Sequence, residues 1–294
     1  MNRFTLLKIL TVATSLWFAD AQAVLTVKIT QGADRALPIA VVPFRVTGTM
    51  PADIAEIVAA DLQRSGRFAP MAVQDMISKP SEFSEVKFDD WRKLSMENLV
   101  IGKVTPTPDG NYSIEFRLVG VYKATQLIGF QMNATAGTLR LAAHQISDII
   151  YEKLTGEKGA FATRIAYITV RGNLPGKKIY TLQLADADGY NPQTLLESPQ
   201  PILSPDWAPD GRRIAYVSFE GGNSAIYVQD VQTGQRQLVA SGQGINSSPA
   251  WSPDGTRLAM TRSKDGNAEI YVLYLDSGDP NHYWTAPNFD LGFV

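Results

Sequence analysis

PDWAPDGRRIAY at residues 205–216 and PAWSPDGTRLAM at residues 249–260 are two copies of one unit. Trp207 and Trp251 stand 44 residues apart, as do Tyr227 of AIYV and Tyr271 of EIYV, so the register holds across the unit. A spacing of about 40 to 45 residues with several short strands per unit marks the blades of a β-propeller. A looser third copy precedes them, with RIAYIT at 164–169 parallel to RIAYVS at 213–218 and KIYTLQL at 178–184 parallel to AIYVQDV at 225–231.

Each part of the unit has a physical role. Pro-Asp-Gly at 209–211 and 253–255 predicts a tight turn, because Pro fixes φ, Asp bonds its own backbone and Gly accepts positive φ. An apolar strand follows, and Gly221-Gly222-Asn223 or Asp265-Gly266-Asn267 reverses the chain into the next one. Trp207 and Trp251 are expected to pack as large apolar faces between neighbouring blades, each indole N–H seeking a carbonyl.

Before the repeats lies a different pattern. Residues 38–44, PIAVVPF, read as a buried strand, and Ile54, Ile57, Val58 and Leu62 then fall on one helical face, with Pro51 expected in the first turn and Gly66 just past the end. Trp91 and Leu94 suggest a short helix. Strands are predicted at 98–105, 112–122 and 126–135, with Pro108-Asp109-Gly110-Asn111 as the first hairpin turn. Ile114, Phe116 and Leu118 alternate with Ser113, Glu115 and Arg117, the period of a half-buried strand. A second helix begins at Thr138, carries Leu139, Ala142, Ile146, Ile149 and Leu154 as its apolar stripe, and ends at Gly156.

The first residues form a leader. Arg3 and Lys8 precede an apolar run at 9–19 and an A-x-A site at Ala21-Gln22-Ala23, so a signal peptide cut after Ala23 and export are expected. The domains are accordingly 1–23, signal; 24–158, α/β; and 159–294, repeats. The chain of 294 residues has 27 Lys plus Arg against 29 Asp plus Glu, a net charge of −2 that gives a nucleic-acid role little electrostatic support. It has no cysteine, which excludes thiolate catalysis and disulfides.

No catalytic constellation emerges. The two histidines, His144 and His282, lack metal-ligand spacing, and His144 lies opposite the apolar stripe of its helix, so a solvated side chain is expected. No G-x-S-x-G elbow occurs, and the G-x-G at 242–244 opens no helix. Asp186-Ala187-Asp188-Gly189 places its glycine at position four and Tyr190 at five, which fails the calcium-loop pattern and reads as a hairpin turn. No metal and no cofactor are expected.

The leader, the small α/β domain with PIAVVPF, WRKL at 91–94 and IGKV at 101–104, and the W-x-PDG blades together resemble the TolB family, periplasmic proteins of the Tol–Pal envelope system of Gram-negative bacteria. The resemblance covers about residues 1–279. It implies an α/β N-terminal domain of anticodon-binding-like fold followed by an all-β, six-bladed propeller of WD40-like PD40 repeats, without enzymatic activity. It implies binding of the lipoprotein Pal by the propeller and of TolA by the N-terminal segment, peripheral attachment to the outer membrane through Pal, contact with further envelope proteins, and a role in membrane integrity and division.

Carried onto this chain, the TolA-facing segment is Val24, Leu25, Thr26, Val27, Lys28 and Ile29, and the Pal-facing loop is Ile245, Asn246, Ser247 and Ser248. Some family members have a histidine where Ile245 stands. The propeller of a prolyl-oligopeptidase-type hydrolase is the alternative from another class, but it requires a further domain with a serine elbow. A lone ligand-binding propeller is the third reading. Residues 164–294 hold about three blades against the roughly four to eight of closed rings, and PNHYWTAPNFDLGFV at 280–294 lacks the turn motif, so a shortened family member is expected.

Overall fold

A computed structural model describes residues 36–172, 177–264, 266–275 and 283–285. The leader, the segment 24–29, His282 and most of the stretch 280–294 lie outside the described residues. From Leu37 onward the chain forms one compact unit.

The first layer is a mixed sheet ordered β3-β1-β4-β5-β6. Its strands are β1 (Leu37–Val41), β2 (Arg45–Val46, paired to β4), β3 (Phe68–Pro70), β4 (Asn98–Pro106), β5 (Tyr112–Gly120) and β6 (Thr125–Ala134). β1 runs parallel to β3 and β4, whereas β4, β5 and β6 form an antiparallel meander. Helix α1 (Ile54–Arg64) and helix α3 (Leu139–Thr155) cover one face, burying Ile114, Phe116 and Leu118 of β5 as their alternation predicts. Helix α2 (Phe88–Lys93) covers part of the other face with Trp91, which is fully buried.

Helix ends follow their chemistry, with two departures from expectation. Asp53 caps α1 by accepting from the Glu56 N–H at 3.1 Å, which places Pro51 before the helix rather than in its first turn. Gly156 ends α3 with φ 79°, but Thr138 makes no side-chain cap bond, because its hydroxyl is engaged with Thr135 in a preceding 3-10 turn. Nor is α3 buried only along its predicted stripe. Ala143 and Ile150 join Leu139, Ala142 and Ile146 in the core, Ile149 and Leu154 stay partly exposed, and His144 and Ser147 are buried on a second side.

The repeats form three consecutive antiparallel sheets, the blades of a propeller. The first comprises β7 (Arg164–Arg171), β8 (Ile179–Asp186) and β9 (Gln193–Ser198); the second β10 (Ile202–Trp207), β11 (Arg213–Ser218), β12 (Ala225–Asp230) and β13 (Arg236–Ala240); the third β14 (Asn246–Trp251), β15 (Arg257–Arg262), β16 (Glu269–Tyr274) and β17 (Tyr283–Thr285). Among the described residues no helix is long and apolar enough to cross a membrane.

A repeated arginine binds each blade to the next. Arg164 at the start of β7 donates to the Gly211 carbonyl at 2.8 Å and lies 5.0 Å from the Trp207 ring centroid, and Arg213 at the start of β11 donates to the Gly255 carbonyl at 3.0 Å and lies 4.7 Å from that of Trp251. The PDG turn thus serves as an acceptor for the preceding blade as well as a reversal of its own, and the guanidinium adds a cation–π contact.

The turn acids are held ionised. Ser252 and Thr256 donate to Asp254 and hold its carboxyl at about 2, and the Thr233 backbone N–H does the same for Asp230, helped by Arg212. Both folded values lie below the ordinary 3.8, so the stability they contribute is present above that pH and is lost as pH falls towards 2. Urea midpoints are expected to decline between about pH 4 and pH 2, and Asp254→Asn to flatten that decline; an unchanged slope in the variant would assign it to other groups.

Candidate interface between the second and third blades

The strands that open the second and third blades share an irregularity. Ser204 and Ser248 adopt φ 49° and 52°, each just before a proline, and the pairing register shifts at the same place, between Leu203 and Asp206 and between Ser247 and Ala250. Such bulges bend a strand and re-aim its side chains, and non-glycine residues at positive φ persist only where the surroundings fix them. The result is a groove of about 260 Å3 between the two blades, with Val217, Phe219, Ser224 and Asn246 on its walls and Leu203 and Ile245 at its rim.

The rim residues are apolar and exposed, with Leu203 46% and Ile245 52% accessible. The Ile245 backbone is pinned on both sides, its N–H donating to Ser263 Oγ at 2.7 Å and its carbonyl accepting from the Ser263 N–H at 3.1 Å. Gly244 before it has φ 85°, and a Cβ there would come within 2.5 Å of Ser263 Oγ, so only glycine fits this approach. A fixed backbone with an outward apolar side chain is preorganised for protein contact.

The four residues assigned to a Pal-facing loop therefore divide. Ile245 precedes β14, whereas Asn246, Ser247 and Ser248 belong to that strand, and Asn246 is 1% exposed. Its N–H donates to Ser224 Oγ and its Nδ2 to the Ser224 carbonyl, both at 2.9 Å, while its Oδ1 accepts from Arg262 Nε at 3.0 Å. Asn246 fixes the groove, Ile245 and Ser248 are exposed, and Ser247 is half-buried. Asn246→Ala is expected to cost about 1–3 kcal/mol in urea unfolding, because it removes the amide from the Ser224 carbonyl and from the Arg262 Nε–H, although the guanidinium keeps the Ser241 carbonyl at 2.8 Å. A loss below about 0.5 kcal/mol would show that water replaces the amide. Leu203 was missed from sequence, since an apolar residue ahead of a repeated SP-x-W looks like any strand residue.

Two further expectations are corrected. His144 is 2% exposed and its Nδ1 lies 2.7 Å from Asp61 Oδ2, so it is a buried, partnered side chain and not a solvated one. Ser147 Oγ donates to the same Asp61 oxygen at 2.7 Å, and Arg64 donates to Asp61 Oδ1. Trp251 fills the core between the second and third blades as expected, its indole N–H donating to the Asp206 carbonyl at 3.2 Å. Trp207 is only half-buried and its Nε1 has no hydrogen-bond partner. The reason is positional. Asp206 lies on β10, and among the described residues the first blade has no strand in the place that β10 takes in the second.

A helix-backed α/β layer joined to W-x-PDG blades defines a propeller protein with an amino-terminal α/β domain. Residues 25–127 match the model of the TolB amino-terminal domain and residues 151–290 that of the TolB beta propeller domain. The chain is 54% identical over 227 residues to the Tol-Pal system protein TolB of Nitrosococcus oceani, covering 77% of this chain and 52% of the relative. It is 48% identical over 234 residues to the protein of the same name from Xanthomonas campestris pv. campestris, covering 79% and 53%. The crystal structure of TolB from Acinetobacter baumannii superposes with a TM-score of 0.77 at 38% identity, over 89% of this chain and 63% of that one. This chain belongs to the TolB family, and it spans about half the length of the curated relatives it matches.

Proposed function

We propose that the chain is a non-enzymatic, periplasmic component of the Tol–Pal system that binds Pal through its blades and TolA through residues 24–29. The observation that carries this reading is the succession of the TolB amino-terminal domain and the TolB propeller in one chain. The groove between the second and third blades supports the Pal side, because it offers exposed apolar anchors on a fixed backbone, the feature that dominates binding energy at protein interfaces. For TolA, a short apolar and β-branched terminal segment suits strand addition to a partner sheet. Outer-membrane integrity and constriction at division follow from holding both partners.

The test is binding of the purified full chain to immobilised Pal and TolA ectodomains. Ile245→Asp, at an exposed position, should leave unfolding within about 0.5 kcal/mol of wild type while weakening Pal capture at least tenfold. Removal of residues 24–29 should abolish TolA capture and spare Pal. Undiminished Pal capture by Ile245→Asp would move the contact to another face.

A further inference from the structure

The turn between β8 and β9 carries Asp186 and Asp188 and lies against α3 of the amino-terminal layer. It meets His144 there. The His144 ring is 2% exposed, and its Nδ1 faces Asp61 Oδ2 at 2.7 Å. An ionised carboxylate only accepts, so Nδ1 is the donor to Asp61, and the ring nitrogen left for a metal is Nε2. Nε2 is buried without a hydrogen-bond partner, 3.8 Å from Asp188 Oδ2. One donor atom each from His144, Asp186 and Asp188 lies within 4.8 Å of the others. Three electron-pair donors converge there, beside the Arg140 guanidinium that pairs with Asp188 Oδ2.

We propose that His144 Nε2 and the carboxylates of Asp186 and Asp188 bind a divalent cation of the zinc type, with water in the remaining positions, tying α3 to the first blade. One imidazole and two carboxylates suit zinc better than calcium or magnesium, which take oxygen ligands. Asp61 supplies the outer carboxylate that orients a metal-bound histidine and raises its basicity, and Ser147 holds Asp61 in turn. The set differs from the calcium loop that the positions of Gly189 and Tyr190 rule out, because its nitrogen donor comes from another element. Asp188 also accepts from Arg140 on Oδ2, the oxygen that faces His144, and from the Tyr190 N–H on Oδ1 at 2.9 Å. A carboxylate has about four lone-pair directions, so these donors leave room for an ion. The guanidinium lowers the site's affinity without filling it.

Zinc titration of the chelator-treated full chain, by calorimetry and by 15N spectra of the histidine rings, tests the site. The chain has only two histidines, so the ring signals are assignable with His282→Ala. One ion per chain is expected, with the His144 Nε2 signal displaced by zinc in wild type and in His282→Ala. Asp186→Asn should weaken binding at least about tenfold, the scale of losing even an outer partner of a metal ligand. Its carboxylate accepts no described hydrogen bond, and unchanged unfolding would confirm that the variant stays folded. A His144 signal that does not move at saturating zinc, binding equal to wild type in Asp186→Asn, binding lost in His282→Ala, or tighter binding of calcium than of zinc would each overturn the proposal.

Discussion

Trp251→Ala is expected to destabilise the blades by about 3–5 kcal/mol, and Trp207→Ala by less than half as much, although the two occupy equivalent places in the repeat. Trp251 is 7% exposed, packs with Leu258, Met260 and Tyr271 of its own blade and with Val217, Ile226 and Val228 of the blade before, and is held by Asp206 at two points. Its backbone N–H donates to Asp206 Oδ2 at 2.8 Å and its indole to the Asp206 carbonyl at 3.2 Å. Truncation opens a cavity and removes the indole's bond to that carbonyl. Trp207 has neither tie, so its loss removes partial burial and the stacking of Arg164. Urea unfolding followed by the remaining tryptophans checks the ratio; equal losses would show that the half-buried ring contributes as much as the buried one.

The second large effect concerns Asp61. It is fully buried on α1 and accepts from Arg64, Ser147 and the Nδ1 of His144. Asp61→Ala leaves an imidazole N–H in the interior without an acceptor, while the Ser147 hydroxyl keeps the Ala143 carbonyl at 3.0 Å, and removing one partner from a buried charged cluster costs about 3–5 kcal/mol. The same variant combined with Ser147→Ala should lose less than the two single losses added together, because both remove one hydrogen bond. Additive losses would mean that the serine and the aspartate act separately. A total loss under about 1 kcal/mol for Asp61→Ala would show that the cluster adds nothing to the stability of the helix pair.

These two cases also mark where sequence reading stops. The 44-residue register, the W-x-PDG turns and the strand alternation of 112–118 are local patterns. Each is set by a period or by the φ preference of Pro and Gly, so blades, turns and the helix-backed sheet were legible before any fold was known. The glycine at 156 and the apolar face of α1 were legible for the same reason. The N-cap aspartate at 53 was equally available, yet Pro51 drew the predicted helix start three residues early.

What only tertiary structure decided is which equal-looking residues are unequal. Arg140, His144 and Ser147 recur at i, i+4 and i+7, a second stripe on α3, and a wheel that seeks one apolar stripe assigns them to solvent. They face inward because α3 packs on the sheet with one side and lies against α1 and the first blade with another, and the partners that make their burial tolerable come from Asp61 and Asp188. Asn246 likewise looks like a loop asparagine until Ser224 and Arg262 close around it. Periodicity reports how often a side chain meets an apolar surface, but polar burial depends on partners distant in the chain. Those are brought together only when the layers pack.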